Sequence, residues 1–198
     1  MLLARYSEFP NEAGCDEAGR GCLAGPVFAA AVIFPDDYCN NELNDSKKLG
    51  ALKRNKLRKI IEHDALAWSV ASVDAEEIDV LNILNASFLA MHKAIEQLLV
   101  IPSFLLIDGN RFLAYKNISC KCIIHGDALY QSIAAASILA KSYRDEYMDL
   151  INGEFPYYGW IKNKGYPTKE HHLAIARYGL SPYHRKSFNM NPQLKINF

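Results

Sequence analysis

Four acids stand where this chain could do chemistry. Asp16 and Glu17 are adjacent, Asp108 closes the apolar run of residues 104–108, and Asp127 follows Gly126 at the opening of a long helical pattern. Gathered within a few ångström, four carboxylates would repel one another and raise some of their pKa values unless divalent cations opposed them. Two Mg²⁺ would balance the four charges. Oxygen-only donors suit Mg²⁺ or Mn²⁺, and two such ions about 4 Å apart can activate water and stabilise the leaving oxygen of a phosphodiester. Each acid also has a plainer reading. An Asp-Glu pair in a hairpin loop is ordinarily solvated surface, and Asp127 could be a helix N-cap.

Other chemistries fit less well. Gly19-x-Gly21 with Gly25 places the third glycine one residue late for a dinucleotide turn, and Pro26 leads into a strand where that turn must open a helix. No Gly-x-x-x-x-Gly-Lys-Ser/Thr occurs. His171, His172 and His184 lack a second cluster at zinc-ligand spacing. The five cysteines, Cys15, Cys22, Cys39, Cys120 and Cys122, form no Cys-x-x-Cys pair and are odd in number, so buried or partly buried reduced thiols are expected.

The acids must be positioned by strand ends. Neighbouring residues on a strand point to opposite faces, so Asp16 and Glu17 converge only if the first strand bends or ends at them, which Gly19, Gly21 and Gly25 permit. An apolar run over residues 27–34 completes a hairpin, and residues 65–73 read as a third strand, favouring an antiparallel start. Apolar residues at spacings of three and four predict helices over 51–62 and 81–100, the latter through Leu84, Phe88, Met91, Ile95 and Leu98. Strands follow at 104–108 and 118–124. A long helix then opens at Gly126-Asp127 and runs to about 152, with Ala134-Ala135-Ala136 small enough to lie close on a sheet, and a last helix spans 169–178. The order implies an α/β fold, a mixed sheet with helices on both faces.

A chain of 198 residues is most simply one domain, here 1–198, with a basic helical C-terminal segment from about 157. No stretch is long and apolar enough for a membrane span and the N-terminus is no signal peptide, so a cytoplasmic protein without membrane contact is expected. Formal net charge is zero, yet residues 47–59 carry seven bases and no acid, and residues 157–198 carry seven bases against Glu170 alone. A basic helix face is usually just solvated. Two basic runs beside clustered carboxylates suggest a polyanion held at a metal site.

Gly14-Cys-Asp-Glu-Ala-Gly-Arg-Gly-Cys-Leu-Ala-Gly-Pro-Val27 resembles the opening signature of the ribonuclease HII family. Asp45-Ser-Lys-Lys-Leu49, Ile107-Asp-Gly-Asn110, Gly126-Asp127 with Ile133-Ala-Ala-Ala-Ser-Ile-Leu-Ala-Lys141 and Arg144-Asp145, Lys164-Gly-Tyr-Pro-Thr168, and His184-Arg-Lys-Ser-Phe188 are similar to its other motifs, in the family's order. Cys22 departs from the proline common at that place.

The resemblance implies a ribonuclease-H-like fold, antiparallel in its first three strands and parallel thereafter, with Asp16, Glu17, Asp108 and Asp127 holding Mg²⁺ or Mn²⁺. It implies that Gly19, Arg20 and Gly21 read the 2′-hydroxyl of a ribonucleotide, that Lys47, Lys141 and Arg185 hold phosphates, and that Tyr166 packs on the next sugar. The expected protein is a monomeric endoribonuclease that cuts the RNA strand of RNA/DNA hybrids and nicks duplex DNA 5′ to a single ribonucleotide, leaving 3′-hydroxyl and 5′-phosphate ends and supporting ribonucleotide removal from DNA. Its rivals are a related carboxylate nuclease, such as a ribonuclease HIII or a junction resolvase, and a non-catalytic hybrid-binding protein. Whether a clamp-type partner docks at the tail ending Lys195-Ile-Asn-Phe198 is left open.

Overall fold

The structure, a computed structural model, describes residues 2–43 and 50–190. Lys47 with the rest of its motif, and the tail at Lys195 to Phe198, lie outside the described residues.

The sheet is built around β2 (Val27–Ile33), whose seven residues are all buried. A run of Val, Phe, Ala and Ile with no polar member suits a strand covered on both faces. β2 pairs antiparallel with β1 (Glu12–Ala18) and with β3 (Ala67–Val73). β1 pairs parallel with β4 (Phe104–Asp108), and β4 parallel with β5 (Ser119–Ile123), so the order is β3-β2-β1-β4-β5. The fold is the expected mixed α/β sheet, antiparallel first and parallel after.

Five helices matter to its two faces and its end: α1 (Ala51–Asp64), α2 (Ala75–Leu81), α3 (Ile83–Glu96), α4 (Gln131–Glu154) and, beyond the short α5 (Trp160–Asn163), α6 (Lys169–Tyr178). α3 covers one face through Ala86, Ala90, Met91, Ala94 and Ile95, which pack with Cys15, Ala29, Ala31 and Ile107. α4 covers the other through Ala134, Ala135, Ile138 and Leu139, with Leu57 and Ile61 of α1 beside it. Gly14 of β1 faces α4 so closely that a Cβ would collide with the Ser132–Ile133 backbone, which only glycine avoids. Two residues on, Asp16 emerges on that same face. A third cluster joins Ala24, Met148, Ile151, Tyr158, Trp160 and Ala174, seating the basic C-terminal segment on the end of α4.

The structure corrects several expectations. β1 does not end at the acidic pair but carries it in register, Asp16 opposite Ala30 and Glu17 opposite Ala29. The helix expected over 81–100 is α3, shorter at both ends and preceded by the unexpected α2; between them Asn82 adopts φ 65° and its side chain accepts from the Leu84 and Asn85 N–H groups, capping α3. α2 is capped the same way by Asp74, which accepts from Glu77 N–H at 2.8 Å. α4 begins at Gln131, after a separate 3₁₀ turn Gly126–Ala128, so Asp127 is not its N-cap. All five cysteines are free, but Cys39 and Cys120 are exposed, whereas Cys15 and Cys22 are buried. No helix among the described residues is long and apolar enough to cross a membrane.

Candidate active site

Asp16 and Asp108 lie toward the C-terminal ends of adjacent parallel strands, the usual place for a site in such a sheet. Cys15 pairs with Ile107 across β1 and β4, so Asp16 and Asp108 follow side by side. Asp108 Oδ1 accepts the Gly126 N–H at 2.7 Å, which draws in the turn carrying Asp127. Asp16 and Asp127 are buried, Asp108 and Glu17 partly so. Burial, reinforced by the charges of Glu17 and Asp108, holds the Asp16 carboxyl well above the usual range, against the opposing hydrogen bonds from Ser137 and the Glu17 N–H.

Among the described residues no three His, Cys, Asp or Glu side chains are grouped as ligands of one metal ion. Asp16 Oδ1 accepts from Glu17 N–H at 2.7 Å, and Glu17 Oε1 pairs with Arg20 Nη1 at 3.2 Å. The donor set still fits a hard divalent cation: all the side-chain donors are carboxylate oxygens, and their mutual repulsion is what such a charge would relieve.

Beside the acids the Gly-rich turn is sewn down by two buried arginines. Gly19 takes φ +97°, and a Cβ there would fall onto the Arg144 side chain. Arg144 is fully buried and donates from Nε to Pro26 O at 3.1 Å, from Nη1 to Lys164 O at 2.9 Å and from Nη2 to Ala24 O at 3.2 Å. Arg185, also fully buried, donates from Nε to Gly25 O and from Nη1 to Arg20 O, each at 2.9 Å, and burial pulls its pKa down to about 10. Each planar fork thus holds two or three carbonyls from separate nitrogens in one plane, a spread that a lysine's single nitrogen lacks.

The turn and Glu17 border a cavity of about 190 Å³ lined also by Ala18, Ser137, Lys141 and Tyr166, with Gly19, Arg20 and Gly21 of the turn. Open space adjoins Gly21. Lys141 Nζ lies 5.6 Å from the centroid of the half-exposed Tyr166 ring and bonds Asp145 at 2.7 Å, which Arg54 also holds at 2.9 Å. The Tyr166 hydroxyl bonds the buried Cys22 thiol, and burial raises both their pKa values.

Comparison with known proteins decides the family. The family model described as Ribonuclease HII matches residues 13–191. The chain belongs to the ribonuclease HII family. A ribonuclease HII of Parabacteroides distasonis is 62% identical over the full length of both chains, and one of Bacteroides thetaiotaomicron is 59% identical over the same span. The solved ribonuclease H2 of Pyrococcus horikoshii has the same fold, with TM-score 0.75 at 23% identity, covering 91% of this chain and 94% of that one. The protein is therefore a ribonuclease H, an endonuclease acting on RNA/DNA.

Of the residues expected in this ribonuclease HII site, the structure brings Glu17, Gly19, Arg20, Gly21, Lys141 and Tyr166 around one cavity; Asp16 precedes Glu17 on β1, Asp108 stands beside Asp16 on β4, and Asp127 lies in the 3₁₀ turn tied to Asp108. Arg185, expected at a phosphate, instead lies beneath the turn and holds its carbonyls. Sequence reasoning quotes Ser137 and Arg144 only within motifs and weighs His171 only as a zinc ligand, giving none of them a role in the site. Ser137 stands one helical turn before Lys141 on α4, a spacing that could have placed both on one face.

Proposed function

We propose that this ribonuclease HII hydrolyses the RNA strand of RNA/DNA hybrids and nicks duplex DNA on the 5′ side of a single embedded ribonucleotide, leaving 3′-hydroxyl and 5′-phosphate ends. The observation that carries the reading is the cavity itself, where the Gly19-Arg20-Gly21 backbone, the Lys141 ammonium and the Tyr166 ring surround one space next to the acids. Asp16, Glu17, Asp108 and Asp127 would hold Mg²⁺ or Mn²⁺, which supplies activated water and neutralises charge at the phosphodiester. A ribonuclease HIII of this fold, TM-score 0.64 at 18% identity over 95% of this chain and 68% of that one, has been solved in complex with Mn²⁺.

The chain's own groups do the selecting. Backbone approach at Gly19 to Gly21 suits a 2′-hydroxyl, which only a ribose presents. Arg20 and Lys141 bring positive charge to the flanking phosphates, and the Tyr166 ring packs on the following sugar, where a 2′-hydroxyl would crowd it. A ribose is thus required at one position and a deoxyribose preferred at the next. One incubation with Mg²⁺ and a duplex bearing one ribonucleotide tests this. Gel mapping against synthetic markers should place the ribonucleotide at the 5′ end of the downstream fragment; a cut on its 3′ side, or none, would refute the reading.

A further inference from the structure

Behind Tyr166 lies a buried hydrogen-bond chain whose protons can be assigned without ambiguity. Trp160 and His171 have no exposed surface, His184 has 1% and Ser181 4%. The Ser181 N–H, which can only donate, points at His184 Nδ1 from 3.0 Å, and the Ser181 hydroxyl approaches the same nitrogen at 2.8 Å. His184 Nδ1 is therefore the acceptor, and the imidazole proton sits on Nε2. That nitrogen faces His171 Nε2 at 3.2 Å, where the Trp160 Nε1–H also arrives at 3.1 Å. Receiving two donors, His171 Nε2 carries no proton. The proton is on His171 Nδ1, which donates to the Tyr166 carbonyl at 3.0 Å.

We propose that His171 is a positioning residue for Tyr166: Trp160 and His184 select its Nδ1–H tautomer, and that single donor fixes the peptide from which the Tyr166 ring enters the cavity. The Tyr166 backbone is held on both sides of the ring, since Tyr166 N–H donates to Asn163 O at 2.8 Å and Tyr166 O also accepts from Thr168 N–H at 2.8 Å. The Thr168 bond closes a tight local turn. The His171 bond joins that turn to α6 and the C-terminal segment, and so sets where the ring stands relative to Lys141 and Gly21. A ring packed on a sugar works only if it arrives in place, because small displacements of a substrate-positioning group cost rate steeply. The inference rests on the reading of Tyr166 as the ring that meets the downstream sugar.

Two substitutions separate position from stability. Asparagine at 171 keeps a donor near the Nδ1 position but leaves the Trp160 and His184 hydrogens unpaired, whereas glutamine reaches the Nε2 position and loses the donor to Tyr166. His171→Gln should lower kcat/KM on a single-ribonucleotide duplex about tenfold, and His171→Asn less than about threefold although it melts at a lower temperature. In the Tyr166→Ala background, His171→Gln should cost no further activity, as expected of two groups acting through one contact. An equal loss from His171→Gln in both backgrounds, or no loss in either, would overturn the proposal. If Tyr166→Ala alone proved fully active, the ring's role would fail first, and visibly so before His171 was altered. Long-range ¹H–¹⁵N correlation spectra of the unaltered full chain give a check that no variant's folding can spoil. They should show the Nδ1–H tautomer at His171 and Nε2–H at His184, and the reverse assignment at His171 would refute the mechanism.

Discussion

Asp108 accepts the Gly126 N–H at 2.7 Å, so the acid ending β4 also fixes the turn that presents Asp127. Asparagine can accept that same bond. Asp108→Asn should accordingly keep the fold and hybrid affinity yet abolish cleavage, and Asp16→Asn, beside it on β1, should do the same. Single-turnover cleavage with saturating Mg²⁺, alongside fluorescence anisotropy of hybrid binding, checks this. Near wild-type turnover in either variant would remove that acid from the metal-binding set.

Gly19 and Arg144 make a second prediction. Alanine at 19 would have to hold φ +97° and push its Cβ into a guanidinium tied to three carbonyls, which leaves the arginine nowhere to go. Gly19→Ala should destabilise the fold by about 2 kcal/mol through backbone strain and overlap. It should also depress kcat/KM on a single-ribonucleotide duplex more than on binding grounds alone, because the turn that meets the 2′-hydroxyl is displaced. Urea titration and cleavage kinetics read the two effects; a variant unchanged in both would mean the turn yields more easily than its packing implies.

Stability should fall as the solution is acidified through the histidine range. Burial, with the neighbouring His171, lowers the His184 pKa from 6.5 to about 4. The folded group resists a proton that the unfolded chain accepts, so its contribution is complete above pH 6.5 and is lost as pH drops toward 4. The loss attributable to His184 is about 3 kcal/mol over that window. Urea unfolding at pH 7, 6, 5 and 4.5 should show the decline, and His184→Gln should flatten it by about one proton's slope. An equally steep decline in the variant would place the titration elsewhere.

Much of this architecture is legible in residue pattern. The unbroken apolar run of β2 announces a strand covered on both faces, and the place of Asp108 after an apolar run foretells an acid at a strand end. The separate α2 and the start of α3 at Ile83 are not legible, because Leu81 and Leu84 continue the helical spacing across the junction while the decisive event is a backbone angle at Asn82. Arg144 and Arg185 are hidden for another reason. A basic residue in a polar stretch reads as surface, and all but one of the carbonyls that make burial tolerable here come from residues 20–26, more than a hundred positions away. By sequence, His171 and His184 read with His172 as zinc ligands lacking a second cluster; their mutual hydrogen bond depends on the fold of the C-terminal segment.

Tyr166 carries the last prediction. Its ring is half-exposed at the cavity edge, with Lys141 on one side and the hydroxyl bonded to Cys22. If the ring's flat face meets the sugar after the ribonucleotide, the hydroxyl serves only to anchor it. Tyr166→Phe should then keep the cut on the 5′ side of the ribonucleotide and most of the rate, since the loss is one hydrogen bond to a thiol, a weak partner. Tyr166→Ala removes the packing surface itself. It should lose most activity on a single-ribonucleotide duplex and lose less on an all-ribonucleotide strand, where the next sugar already carries the 2′-hydroxyl the ring disfavours. Comparing kcat/KM for the two substrates across the three proteins decides the matter. An alanine variant that loses both activities equally would make Tyr166 a general support of the cavity and not a reader of the junction.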